Sequence, residues 1–110
     1  MMSVVMVRYR VHPERAAENE ALVRAVYEQL RREQPDGLRY AAFVEEDGVS
    51  FTHTLFAERA EAAAALPRLE AFRRFRAGLD ERCAEAPVVT RLGEVGSFGF
   101  DSAGAVGGGG

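Results

Sequence analysis

From Ser3 to Val11 the chain alternates. Val5, Val7, Tyr9 and Val11 fall on one side and Val4, Met6, Arg8 and Arg10 on the other, the period-two pattern of a strand with one more apolar face. His12-Pro13-Glu14 then reads as a helix start, because proline in a first turn forfeits no intrahelical bond. From Glu14 to about Gln34 the period lengthens to that of a helix: Leu22, Val23, Val26, Tyr27 and Leu30 form one stripe, with Ala16 near its end. Glu20 and Arg24, and Glu28 and Arg32, are acid-before-base pairs on the wet side. Pro35-Asp36-Gly37 stops the helix and turns the chain.

Two runs, Gly37 to Glu46 and Val49 to Ala57, flank Asp47-Gly48. That dipeptide tolerates positive φ at both positions, as a two-residue type I′ turn demands. Such a loop sets Glu46 opposite Val49, Val44 opposite Phe51, Ala42 opposite His53 and Tyr40 opposite Leu55, all on one face. The other face then carries Arg39, Ala41, Phe43, Glu45, Ser50, Thr52, Thr54 and Phe56. Beyond it, the alanine-rich stretch from Glu58 to Leu66 has high helix propensity until Pro67 interrupts it. A main helix is expected from Pro67 to about Cys83, with Leu69, Phe72, Phe75, Leu79 and Cys83 on its buried stripe. Pro87 to about Phe100 reads as a last strand, loosened by Gly93, Gly96 and Gly99. Residues 101–110, ending in four glycines, have almost nothing to bury and are expected to be a disordered tail after a domain spanning 1–100.

The element order βαββαβ, with two right-handed crossovers around a hairpin, predicts a ferredoxin-like α+β fold. Its antiparallel sheet has order 4-1-3-2 and both helices on one face. The opposite face would carry Met6, Phe43 and Phe56, too much apolar surface to leave in water. Pairing two such faces about a two-fold axis buries both, so a homodimer through the sheet is expected. Arg8 and Arg10 would lie on that face, pairing with Glu45 or with acids of a second copy.

Composition narrows the function classes. A net charge of −3 gives no electrostatic footprint for nucleic acid or an anionic membrane. No stretch approaches the roughly 20 apolar residues of a membrane helix, and the first ten residues lack the pattern of a signal peptide. A single cysteine excludes an internal disulfide framework and fits a reducing cytoplasm; with two distant histidines it assembles no structural zinc site, and no cofactor motif is present.

Candidate chemistry lies where polar groups fall on helix-facing surfaces. His53 sits between Phe51 and Leu55, opposite the small Ala42. It is either a core histidine held by a hydrogen bond or a general base facing an apolar pocket. Asn19 falls within the stripe of Leu22 and Val26, where its amide bonds a loop backbone or orients a substrate oxygen. Arg76 lies on the second helix's stripe, either extending to solvent beside Asp80 or clamping an anionic group. Tyr9, Tyr27 and Tyr40 lie on or beside core faces and need hydroxyl partners if buried. Phe72 and Phe75 are plain core or the walls of a flat site. Cys83, at an expected helix C-terminus, is disfavoured as a thiolate, and His12 is expected to be exposed or capping.

The segments VVMVRYRVHPER, GLRYAAFVEEDGVSF and LEAFRRFRAGLDERC, with the final valine-rich strand, resemble the dimeric α+β barrel superfamily, and within it the antibiotic-biosynthesis-monooxygenase-like domains. The resemblance covers about residues 3 to 100. It implies a ligand pocket within each subunit, between helices and sheet. It also implies relatives that include cofactor-independent oxygenases of quinols and polyketide aromatics and haem-degrading monooxygenases. The latter typically use a tryptophan, which this chain lacks. Three readings stand open. One is a cofactor-independent monooxygenase of a small electron-rich aromatic, with His53 as base and Asn19, Tyr40, Phe72 and Arg76 binding substrate. The others are a non-catalytic module for a small hydrophobic ligand and a structural or stress-associated homodimer.

Overall fold

The computed structural model of the protein describes residues 3–100, so the glycine-rich segment expected to be a tail lies outside the described residues. Strands β1 (Ser3–Val11), β2 (Leu38–Val44), β3 (Ser50–Ala57) and β4 (Cys83–Leu92) form one antiparallel sheet in the order β2-β3-β1-β4. This is the 4-1-3-2 arrangement read from its other edge. Helices α1 (Ala16–Glu33), α2 (Ala60–Ala65), α3 (Glu70–Arg76) and α4 (Leu79–Arg82) pack on one face, giving the ferredoxin-like α+β fold. Tyr9 and Val11 of β1, Val23 and Val26 of α1, and Phe51 of β3 meet Phe75 and Leu79 in a single core. Full burial of a side chain of this size contributes about 1.5–3 kcal/mol, enough to hold each element to the face its periodicity selects.

The hairpin keeps the expected register, with Tyr40 opposite Leu55, Ala42 opposite His53 and Val44 opposite Phe51. Its turn differs. Only Gly48 has positive φ in the loop, +76°, and the closing bond is Glu45 N–H to the Ser50 carbonyl at 2.8 Å. The Asp47 carboxylate accepts hydrogen bonds from the Ser50 hydroxyl (2.7 Å) and from the backbone N–H groups of Val49 and Ser50 (both 2.9 Å). Those bonds, that from the Ser50 side chain foremost, hold its pKa below the usual range. They compete with the Glu46–Val49 pair, and the Val49 carbonyl turns instead to the Val11 N–H. The loop opens by one residue on each strand, so the register is unchanged.

The expected helix from Pro67 to Cys83 is broken. Leu66–Arg68 is a 3-10 turn, α3 ends at Arg76, and Gly78 at φ +77° starts the separate turn α4. Left-handed backbone costs a non-glycine residue about 1–2 kcal/mol and glycine nothing, so the chain changes direction there. Cys83 consequently opens β4 instead of closing a helix, and the strand ends at Leu92 instead of running to Phe100. Pro87 lies inside this edge strand, beside register shifts between Arg8 and Arg10, where a missing N–H is tolerated.

The outer face of the sheet exposes Phe43 at 59% and Val88 at 64%. Arg8 pairs there with Glu45 and Arg10 with Glu85. Residues 93–100 form no regular element, but Phe100 stacks on Phe56 at 6.1 Å. Among the described residues no helix is long and apolar enough to cross a membrane, and no cluster of His, Cys, Asp and Glu is placed to hold a metal.

Candidate functional site

Gly78 decides how the interior is wired. By ending α3 it leaves carbonyls without helical partners, and the turn α4 brings Arg82 back underneath them. Arg82 is 1% exposed. Its Nη2 donates to the Phe75 carbonyl at 2.6 Å, its Nη1 to that of Ala77 at 3.2 Å, and its Nε to Asn19 Oδ1 at 3.0 Å. The guanidinium also lies over the Phe75 ring, 5.5 Å from its centroid. Burial lowers its pKa, opposed by the charge of Glu18, but a guanidinium remains a cation and has only donors to offer.

From Arg82 the contacts run across the core. Asn19, with no exposed surface, donates its Nδ2 to Tyr9 Oη at 2.9 Å. Tyr9 Oη lies 2.9 Å from His53 Nε2, and Tyr40 Oη lies 2.6 Å from His53 Nδ1. The strand pairs Val7–His53 and Ala42–His53 place β3 between β1 and β2, so this imidazole is reached by a tyrosine from either side. The rings are packed as well as bonded. His53 stacks on Phe75 at 5.3 Å, Tyr9 on Phe51 at 5.5 Å, and Tyr40 on Tyr27 at 5.4 Å.

Burial sets the protonation states. Desolvation pushes His53 down to about 4, because burial strips hydration that the charged imidazolium would need. It pushes Tyr9 up to about 12, with the Asn19 hydrogen bond pulling the other way. Tyr40 is raised further, by burial first and then by the neighbouring Tyr27 and Tyr9, while the charge of Arg76 acts in the opposite sense. At neutral pH the network is therefore two phenols and one neutral imidazole, anchored at one end by a cation. The Tyr27 hydroxyl is buried without a partner among the described residues.

A cavity of about 250 Å³ lies beside the network, lined by Tyr9 and His53 as well as by Tyr40. Tyr40, His53 and Leu55 form its floor, Phe72 and Arg76 of α3 one wall, and Val89 of β4 lies towards the edge strand. This volume is just under the ~300–1,000 Å³ of drug-sized sites and suits a small ring system. Phe72 meets Tyr40 edge-on at 6.4 Å, and the Arg76 guanidinium lies 6.0 Å from the Phe72 centroid. Asp80 also lines the cavity.

Four of the five residues singled out from sequence, His53, Tyr40, Phe72 and Arg76, thus share one cavity. Asn19 does not line it. Its amide is spent on Tyr9 and Arg82, so any contribution passes through Tyr9. His53 has both ring nitrogens engaged and is 5% exposed, leaving no unoccupied basic nitrogen towards the cavity. Cys83 is half-buried at the start of β4, with its thiol pKa raised by burial. Arg82 was not foreseen. Its signal was its spacing, seven residues after Phe75 and three after Leu79, which puts a second cation, after Arg76, on the apolar stripe.

The chain is structurally similar to a protein of Mycobacterium tuberculosis, Rv0793, at 20% identity and TM-score 0.73, over 88% of this chain and 98% of that one. A conserved protein from Methanosarcina mazei aligns at 17% identity and TM-score 0.70, over 84% and 91%. SnoaB of Streptomyces nogalater, described as a cofactor-independent oxygenase and solved as an N63A mutant, aligns at 15% identity and TM-score 0.67, over 89% and 97%. At these identities the likeness is one of fold. No curated protein matches the chain. Residues 2–78 match the family described as antibiotic biosynthesis monooxygenase, and the chain belongs to that family.

Proposed function

We propose that the protein is a cofactor-independent monooxygenase of a small electron-rich aromatic, of quinol or polyketide type, working as a homodimer joined through its outer sheet face. The observation that carries this reading is that Tyr40 and the Arg76 cation line one cavity whose walls are mainly aromatic and aliphatic, with Tyr9, His53 and Asp80 its other polar side chains. An aromatic with an ionisable hydroxyl, or an anthrone, becomes a strong reductant on losing a proton, so the protein need only bind it, stabilise the anion and exclude competing reactions. Tyr40 would donate to the anionic oxygen, Arg76 would lower its pKa by charge, and Phe72 would pack on the ring. His53 serves as a positioning residue behind Tyr40. The substrate proton leaves through the cavity mouth to water.

For an anthrone, two C–H bonds break at one carbon, the O–O bond of dioxygen breaks, and one C=O and one water form; the substrate supplies all four electrons. An oxygen electrode with anthrone and dihydroxynaphthalenes, in the presence of a chelator and without added flavin or haem, tests this. The expected result with anthrone is one O2 consumed per quinone formed. A Tyr40→Phe protein should be slower by about 10–100-fold, as for loss of a hydrogen bond to a developing oxyanion. No uptake above autoxidation across the panel would refute the enzyme reading.

One observation favours a second reading. Among the described residues both imidazole nitrogens are engaged, leaving the Asp80 carboxylate as the one acid-base group of the cavity without a bond to the network, and a module that only binds a small hydrophobic molecule has the same walls. A ligand retained through purification without oxygen uptake would select it. The open volume beside His53 weighs against a dimer whose pocket is filled by its own side chains.

A further inference from the structure

We infer that Arg82, Asn19, Tyr9, His53 and Tyr40 form a hydrogen-bond chain of one fixed direction, which holds His53 as its Nδ1–H tautomer and leaves the Tyr40 O–H as a donor for a phenolate or enolate oxygen in the cavity. The ligand class deepens the proposed oxygenase reading and rests on the same cavity; the direction of the chain rests on the protein alone.

The direction follows from donor counting. Arg82 Nε–H can only donate, so the Asn19 atom 3.0 Å from it is the carbonyl oxygen, and Nδ2 is left to face Tyr9. Asn19 Nδ2 donates to Tyr9 Oη, and the Tyr9 hydrogen then needs an acceptor of its own. Among the described residues the one within reach is His53 Nε2 at 2.9 Å. Nε2 therefore carries the lone pair, and in a neutral imidazole the proton sits on Nδ1. Nδ1–H donates to Tyr40 Oη at 2.6 Å. The Tyr40 hydroxyl has no other hydrogen-bond partner among the described residues, and its hydrogen is left for the cavity it lines.

The reverse direction fails at the buried end. With the proton on Nε2, Tyr9 Oη would accept from both Asn19 and His53, and its own hydrogen would have no acceptor among the described residues; Tyr9 lines the cavity too, but at 2% exposure against a half-buried Tyr40 its hydroxyl is the costlier one to leave unsatisfied. A chain in which every member donates the same way also polarises its terminal O–H, strengthening it as a donor. The Arg76 cation is felt at the Tyr40 hydroxyl, where it acts to stabilise negative charge. Asp80 opposes it from the same cavity, so specificity for an anion depends on the Tyr40 donor as well as on net charge. Asn19 and Arg82 are positioning residues in this scheme: neither lines the cavity, yet together they decide which way Tyr40 points.

Asn19→Asp is the discriminating variant. It is isosteric and keeps an oxygen against Arg82, but it replaces the amide donor with an acceptor. Tyr9 then donates to the introduced carboxylate, His53 Nε2–H donates to Tyr9, and the Tyr40 hydrogen is drawn to Nδ1. Nitrogen-15 NMR of histidine-labelled protein should find His53 protonated on Nδ1 in the unaltered chain and on Nε2 in Asn19→Asp. Absorbance titration of bound p-nitrophenol should find its pKa lowered by about one unit or more in the unaltered chain, a tenfold preference for the anion, and lowered less in Asn19→Asp and Tyr40→Phe. Protonation on Nε2 in the unaltered chain, or an unchanged tautomer in Asn19→Asp, overturns the chain. Failure of p-nitrophenol to bind, or a preference for its neutral form, overturns the ligand class. Neither arm reads oxygen uptake, so failure of the proposed reaction is seen separately.

Discussion

The buried imidazole makes a prediction about stability that needs no substrate. His53 has an ordinary pKa of 6.5 and is pushed down to about 4 by burial. A pKa depressed in the folded state means that the unfolded chain binds the proton more tightly, so stability is fully present above the unfolded value and is lost as pH falls through the folded one. Linkage over that gap gives a loss of about 2 kcal/mol between pH 7 and pH 5, growing to about 3 kcal/mol near pH 4. This would be a large part of the ~5–15 kcal/mol that holds an ordinary domain together. Urea unfolding at pH 7, 6 and 5 measures it, and His53→Gln, which can still bond both tyrosines, supplies the reference. Every other group is common to both proteins, so its contribution cancels in the difference. The unaltered chain should lose about 2 kcal/mol more than His53→Gln over that range. Parallel pH slopes, or a His53 ring titrating near its ordinary value by NMR, would refute the argument.

Other consequences can be read with simpler assays. Arg82→Met should cost about 3–5 kcal/mol in urea unfolding, since it strips a buried donor from Asn19 and from the Phe75 and Ala77 carbonyls; a loss below about 1 kcal/mol would mean water replaces it. Gly78→Ala should cost about 1–2 kcal/mol, because a Cβ there meets only ordinary contacts, the closest being Arg82 Nη1 at 3.7 Å, and the penalty is that of φ +77° alone. Sedimentation at micromolar concentration should find a dimer, and Phe43→Arg, at a side chain 59% exposed on the outer face, should shift it to monomer; a monomeric unaltered chain would end the dimer proposal.

What the sequence made legible follows from which constraints are local. The faces of β1 and the register of the hairpin could be read because alternation and a short loop leave one arrangement, and the register survived even though Asp47 built a different turn. The region after Pro67 reads as one helix for a physical reason. Phe72, Phe75 and Leu79 keep helical spacing across the break at Gly78, and Phe75 and Leu79 are both buried, so the apolar pattern carries no trace of the interruption. Only the backbone conformation of Gly78 records it, and glycine in a helix-like pattern costs too little to announce a break.

The hidden break and the missed cation are one event. Had the helix continued to Cys83, Arg82 would have stood within a regular turn, with the carbonyls of Phe75 and Ala77 committed to the helix ladder. Breaking at Gly78 frees those carbonyls and turns the chain so that Arg82 closes over them. Its remaining Nε–H then fixes the orientation of Asn19, and through Tyr9 the proton on His53. His53 could be found from sequence because a polar ring on an apolar face stands out. Its chemistry could not, because that is decided 63 positions away in sequence from Asn19, by a residue sitting in the charged run Asp80-Glu81-Arg82. The reactive group moves with that wiring. An imidazole seen alone is a base, whereas one held between two phenols by a cation is a relay of polarity, and in the proposed scheme it is the Tyr40 oxygen that would meet a ligand.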